Sequence, residues 1–325
     1  MGERTVDLRT ILDGLRVPVV GAPMAGAAGG RLAAAITAAG GLGLIGVGNV
    51  ATVEQVREQC GLARAAGQRV GIGLMCWSLP QNPALLDAAL EAEPVVVSLS
   101  FGDPRPYLEK VHDAGAAVVA QVGTRTEALD ALDAGVDGLV VRGSEGGGHG
   151  RGVVSTLPLL QQVLDLTDRP VLVGGGVATA RGLAAVLAAG ASAAWVGTPF
   201  AASAESIFRP ELKEAVIAAD TDQTVYTRAF DIAQRFDWPE IYGGRALANA
   251  FSDRWAQRTD ALAEAVTDEM TETIKQARVD ADLSMAPVYA GESAGLVDRA
   301  RTAAEVLADF EPFREHLRAA QRWLD

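Results

Sequence analysis

Eight short apolar runs punctuate the first 200 residues, and they constrain the fold more than any other feature of the chain. They are 17–22 (VPVVGA), 42–47 (LGLIGV), 70–76 (VGIGLMC), 94–99 (PVVVSL), 116–122 (AAVVAQV), 138–141 (GLVV), 170–173 (PVLV) and 193–197 (AAWVG). Unbroken Val, Ile and Leu runs of this length suit parallel strands buried on both faces. Between them lie Ala-rich amphipathic segments at 31–39, 52–66, 104–114, 124–134 and 178–189, all good helix formers. These helical segments end alike, in AAG (38–40), AAG (65–67), DAG (113–115), DAG (133–135) and AAG (188–190). A glycine just past a helix end takes the left-handed conformation that caps the last carbonyls. Eight strand–helix units predict a closed α/β barrel, a (β/α)8 TIM barrel, because parallel strands need crossovers and eight of them close a sheet. A doubly wound open sheet is the alternative and would ordinarily hold fewer strands.

The texture changes after the eighth run. Residues 205–285 are charged and helical, and they collect Tyr226, Phe230, Phe236, Trp238, Tyr242, Phe251 and Trp255. We read this stretch as a small helical insertion domain between the last strand and the last helix, 301–323, set over the C-terminal mouth where barrel sites lie. The barrel domain is then 1–204 plus 286–325. The insertion's aromatics are expected mainly to form its own core.

Composition excludes several classes. A net charge of −13 argues against nucleic acid, which requires a basic face. Residues 1–200 carry 14 basic and 18 acidic side chains, and 201–325 carry 14 and 23. There is no long uncharged apolar run, so no membrane span is expected, and MGERTVDLRT does not read as a signal peptide. Cys60 and Cys76 make neither a disulfide framework nor a metal set. They are expected as buried, reduced thiols of a cytoplasmic protein.

The strand ends carry the chemistry. After the sixth run comes Arg142-Gly-Ser-Glu-Gly-Gly-Gly-His-Gly150, where consecutive glycines let the backbone approach a ligand closely. His149 within it is the candidate acid–base group. His112 and His316 sit in helical segments and read as ordinary helix-flank residues. Glu145 is expected to hold the loop through backbone N–H groups. Gly174-Gly175-Gly176 follows the seventh run and Gly197-Thr198 the eighth, together forming the usual phosphate cradle of barrels. The first strand end, Gly21-Ala-Pro-Met-Ala-Gly26, offers a rigid turn for the edge of a planar ring. Gly46-Val-Gly48-Asn-Val-Ala51 matches the loose dinucleotide pattern, but no acidic residue ends the next strand, so it is set aside. A phosphate cradle, a planar-ring turn and a histidine suit flavin mononucleotide (FMN).

At these residues the chain resembles the nitronate monooxygenase family, also called 2-nitropropane dioxygenases. PVVGAPMAG (18–26), AGGLGLIGVGN (39–49), SEGGGHGR (144–151), PVLVGGGVA (170–178) and WVGTPF (195–200) carry the likeness, which returns at 243–251 and 289–295. The resemblance implies an FMN-dependent oxidoreductase that turns nitronates or nitroalkanes and O2 into carbonyl compounds and nitrite. It places the catalytic role on His149. The cofactor is expected on Ala22, Pro23, Met24, Ala25, Gly73, Gln121, Gly147, Gly148, Gly174, Gly175, Gly176, Gly197 and Thr198, and the substrate on Met24 and His149, with Tyr289, just after the insertion, and the nearby Ser293 as rim candidates by position. No metal is expected, and a homodimer is left open. Three positions depart from the family: Gly146 where Ala is usual, Arg142 where Gln is common, and Gly73 where Asn is common. An FMN-dependent enoyl-acyl-carrier-protein reductase using NAD(P)H is similar in the same motifs and is the alternative. A non-flavin barrel acting on a sugar phosphate is the third reading.

Overall fold

Alternate residues along the apolar runs face opposite ways, and the structure, a computed structural model describing residues 7–323, uses both faces. Its strands are β1 (Val19–Gly21), β2 (Leu42–Gly46), β3 (Gly71–Met75), β4 (Val96–Ser100), β5 (Ala117–Val122), β6 (Gly138–Arg142), β7 (Gly148–Gly150), β8 (Val171–Gly174), β9 (Ala193–Val196), β10 (Thr224–Thr227) and β11 (Gly243–Leu247). All but β7, β10 and β11 form a closed parallel barrel in the order β1-β2-β3-β4-β5-β6-β8-β9, with Trp195 of β9 opposite Val20 of β1. One set of side chains, including Val20, Leu44, Val96, Val119, Val140 and Leu172, fills the interior. The alternate set, including Ile45, Ile72, Leu99, Val118, Val141 and Val173, packs outward against the helices. The (β/α)8 TIM barrel is therefore the fold.

The expected helix stops are in place. Gly40, Gly67, Gly115, Gly135 and Gly190 have φ between +71° and +107°, the left-handed region that only glycine enters cheaply. One helix escaped the sequence pattern. Leu8–Asp13, capped by the Asp7 carboxylate, drops Leu8 and Leu12 into the base of the barrel.

Residues 205–285 hold five helices, from Pro210–Ala218 to Asp268–Asp280, but also the strands β10 and β11. These join β7 in an antiparallel sheet ordered β10-β11-β7, which ties the segment to the glycine-rich loop of the barrel. Tyr226 wedges the joint: its hydroxyl donates to Gly150 O and accepts from Gly243 N, each at 2.8 Å. A Cβ at Gly152 or Gly243 would strike its ring at 2.4 and 2.8 Å. The 301–323 segment is two helices, Ala303–Phe310 and Phe313–Ala320, interrupted at Pro312. Among the described residues no helix is long and apolar enough to cross a membrane, and no group of His, Cys, Asp or Glu is placed to hold a metal ion.

Candidate active site

The inward positions of the strands shrink towards the C-terminal end of the barrel: Gly46, Ser98 and Gly174 follow Leu44, Val96 and Leu172, and β3 is glycine at both levels, Gly71 and Gly73. Two of these glycines make room for a loop. A Cβ at Gly46 would lie 2.4 Å from Met24 C, and one at Gly73 would lie 2.3 Å from Pro23 Cγ. The turn 22–25 is thereby laid across the barrel mouth. Above it opens a cavity of about 1450 Å³, solvent mouth included.

Every site residue expected from the sequence lines this cavity: Ala22–Ala25, Gly73, Gln121, Gly147–His149, Gly174–Gly176, Gly197, Thr198, Tyr289 and Ser293. Gly73, however, offers no side chain and no free space, because Pro23 occupies it. Asn49, from the loop after β2, lines the cavity instead as an amide donor and acceptor.

The cradle can be tested for an anion. Gly175 and Gly176 have φ of +104° and +72°, which turns successive amides to one side. Among the described residues the amides of Gly175, Gly176, Gly197 and Thr198 donate to no protein acceptor. The Thr198 hydroxyl accepts from Gly291 N at 3.0 Å, which leaves its own proton to give. Unpaired donors are expensive unless a ligand or water uses them, so this rim fits a phosphate.

The glycine-rich loop rests on a buried arginine and a half-buried carboxylate. Arg142, only 3% exposed, donates through Nη2 to the carbonyls of Gly146, Gly147 (3.1 Å) and Gly148 (2.7 Å). Burial lowers its pKa to about 10. This explains two departures together. A Cβ at Gly146 would lie 2.8 Å from Arg142 Nε, so the arginine requires the glycine. The Glu145 carboxylate accepts from Thr156 N at 3.2 Å, the loop-holding role expected for it. Gly291 and Gly147 pack backbone to backbone, since a Cβ at Gly147 would meet Gly291 N at 2.5 Å.

His149 projects from β7, paired across β11 with Gly244, and its carbonyl accepts from Gln121 Nε2 at 3.1 Å. Its Nε2 lies 2.9 and 3.0 Å from the two oxygens of Asp231, whose side chain is 4% exposed. The imidazole stacks on Trp238 with centroids 3.7 Å apart and planes 2° from parallel. Trp238 in turn meets Trp77 and Phe101 at 5.2 and 5.1 Å. Tyr289 points its hydroxyl at Asp231 Oδ1, 3.5 Å away, and burial with the Asp231 charge pushes its pKa far up, so it remains a donor. His112, by contrast, pairs with Asp137 outside the cavity.

Asp231, Phe236, Trp238 and Arg278 were not singled out as site residues from the sequence, yet all four line the cavity. The insertion's aromatics divide accordingly. Phe230, Phe251 and Trp255 form a core, while Phe236 and Trp238 face the cavity, contrary to the expectation that these rings mainly build that core.

Comparison with known proteins agrees with this site. The nitronate monooxygenase family model matches residues 81–311. The chain is 29% identical to a nitronate monooxygenase of Neurospora crassa over 93% of this chain and 90% of that protein. Among solved structures, FabK from Thermotoga maritima superposes with a TM-score of 0.83 at 28% identity, covering 99% of both chains. Nitroalkane oxidase from Streptomyces ansochromogenes gives 0.79 at 27% identity, covering 96% of this chain and 99% of that one. A barrel whose mouth joins an anion cradle to a carboxylate-held histidine, matched over most of its length, is an oxidoreductase that belongs to the nitronate monooxygenase family.

Proposed function

We propose that the chain is an FMN-dependent nitronate monooxygenase, oxidising nitronates and nitroalkanes with O2 to carbonyl compounds and nitrite. The observation that carries this reading is the shared cavity: four unpaired amides at one end and His149, held by a buried carboxylate, at the other. Gly175, Gly176, Gly197 and Thr198 would hold the phosphate. The turn 22–25 with Gln121 and Gly147–Gly148 would border the ring. When bound, FMN supplies the electron-accepting chemistry that the twenty amino acids lack. The chain's own residues bind the nitro compound, remove its α-proton at His149, and shield the site behind Trp238 and Phe236. The aromatic wall of Phe236 and Trp238 suits a small substrate.

The domain division is part of the same proposal: a barrel of residues 1–204 and 286–325 that holds the cofactor, and a unit of 205–285 that walls the substrate. A second reading, an NAD(P)H-dependent enoyl-acyl-carrier-protein reductase, is supported by the likeness to FabK. Anaerobic mixing separates the two. Loss of the flavin absorbance with a nitronate, and indifference to NADH and NADPH, is expected. Rapid bleaching by NADPH together with consumption of an enoyl thioester would establish the reductase.

A further inference from the structure

His149 is restrained on every side except one. Gln121 fixes its carbonyl, β11 its backbone, Trp238 one face of its ring, and Asp231 its Nε2. Among the described residues Nδ1 has no hydrogen-bond partner, and the residue lines the cavity. Asp231 comes from helix Ala229–Gln234, 82 positions along the chain, and is nearly enclosed. The remaining polar groups near it are the Tyr289 hydroxyl, which donates to the same carboxylate, and Arg278, tied to Gln234 Oε1 at 2.9 Å.

We propose that Asp231 is a positioning residue that selects the tautomer of His149, placing the proton on Nε2 and leaving Nδ1 as the base that acts on a neutral nitroalkane. The inference rests on the nitronate monooxygenase reading and adds to it which atom reacts and which form of the substrate is used. An ionised carboxylate only accepts hydrogen bonds, so the nitrogen facing it must carry the hydrogen. The other nitrogen then keeps its lone pair, on a residue that lines the cavity. In the step itself the α C–H bond breaks and an N–H bond forms at Nδ1. The C–H electron pair stays with the substrate and spreads over the nitro group, giving the nitronate. The imidazolium so formed is neutralised by Asp231, which keeps its negative charge. A nitronate supplied from solution has already lost this proton and does not need the pair.

The test uses the flavin-loaded full chain and compares Asp231→Asn with wild type on nitroethane and on preformed ethylnitronate, with flavin content and visible spectrum as controls. General-base assistance contributes about 10²–10⁴-fold, so kcat/KM on nitroethane should fall at least about 100-fold. The loss on ethylnitronate should be at least tenfold smaller, and the α-deuterium isotope effect on nitroethane should rise. Raising the pH above the carbon acid's own pKa, where solution supplies the anion, should narrow the gap. In a His149→Ala background Asp231→Asn should add almost nothing, as expected for groups acting as a unit. Asp231→Ser carries the same comparison if the Asn variant loads no flavin. Equal losses on both substrates, additive losses in the double variant, or nitroethane turnover within threefold of wild type would overturn the proposal. Wild-type turnover of the nitronate alone overturns it and spares the function; turnover of neither defeats both.

Discussion

Adding one methyl group at Gly73 tests whether the barrel mouth is built as described. The new Cβ would lie 2.3 Å from Pro23 Cγ and 2.4 Å from Pro23 Cβ. Carbon atoms pack at about 3.5–4 Å, so the proline and its turn must retreat by more than about 1 Å. Overpacking of this kind costs about 1–3 kcal/mol, offset by about 0.4–1 kcal/mol from the lost freedom of glycine in the unfolded chain. A net loss of about 1–2 kcal/mol corresponds to roughly 1.5–3 °C in Tm for a chain of this size. Because turn 22–25 lines the cavity, FMN affinity should also fall, by about tenfold for each 1.4 kcal/mol of lost contact. Gly61→Ala is the control: it lies in helix Val53–Ala65 with nothing within 4 Å, and should stabilise by about 0.5–1 kcal/mol. Thermal unfolding of the flavin-free protein and a fluorescence titration with FMN read both effects. If Gly73→Ala melted and bound FMN as wild type does, the packing of the turn on β3 would be wrong.

Other expectations follow from the same contacts. Gly146→Ala should cost about 1–2 kcal/mol against Arg142, and Arg142→Gln should recover much of it, giving a coupling of at least about 0.5 kcal/mol in a double-mutant cycle by urea denaturation. Gly176→Ala meets only Glu145 at 3.6 Å, so its stability cost should be the left-handed backbone penalty, about 1–2 kcal/mol, with a further loss of FMN affinity seen by titration. Burial raises the Cys60 thiol to about 11 and the Cys76 thiol to about 12, against 9.0 for a free thiol. The unfolded chain therefore releases these protons first: the stabilisation is whole below pH 9 and is lost as pH rises towards 11–12, visible as a falling Tm, while a thiol reagent at pH 8 should label neither cysteine until urea is added. Trp238→Leu removes the face of the His149 stack and should lower nitroalkane turnover more than FMN binding, measured by oxygen uptake and flavin content.

Sequence and structure agree where the signal is local. The eight apolar runs become the eight barrel strands because double burial demands unbroken apolar stretches. Gly40, Gly67, Gly115, Gly135 and Gly190 stop helices because their φ values demand glycine. The loops 22–25, 146–149, 174–176 and 197–198 stood out because close backbone approach leaves a mark in residue type. Asp231 leaves no such mark. In Ala-Phe-Asp-Ile-Ala-Gln it is an ordinary acid of a short helix, and only the β7–β11 pairing brings it to His149. Trp238 and Phe236 looked like core aromatics because nothing in residue type tells a core ring from a cavity wall. Helix Leu8–Asp13 is too short for periodicity to declare it, β11 (GGRAL) is held by Tyr226 and by partner strands rather than by its own propensity, and β10 (TVYT) favours a strand but is only four residues long. The packing at Gly73 was hidden for a related reason: its missing side chain makes room for Pro23, a neighbour that sequence spacing does not reveal.

The central claim is that the cavity carries FMN and uses O2 to remove the nitro group. Oxygen uptake by the flavin-loaded protein with ethylnitronate, with nitrite measured in the same vessel, tests it most directly. The account predicts oxygen consumption with nitrite and acetaldehyde formed in step, abolished when the flavin is removed and restored by FMN. A yellow, FMN-loaded protein that consumes no oxygen and releases no nitrite with any nitronate, yet is bleached at once by NADPH, would contradict it.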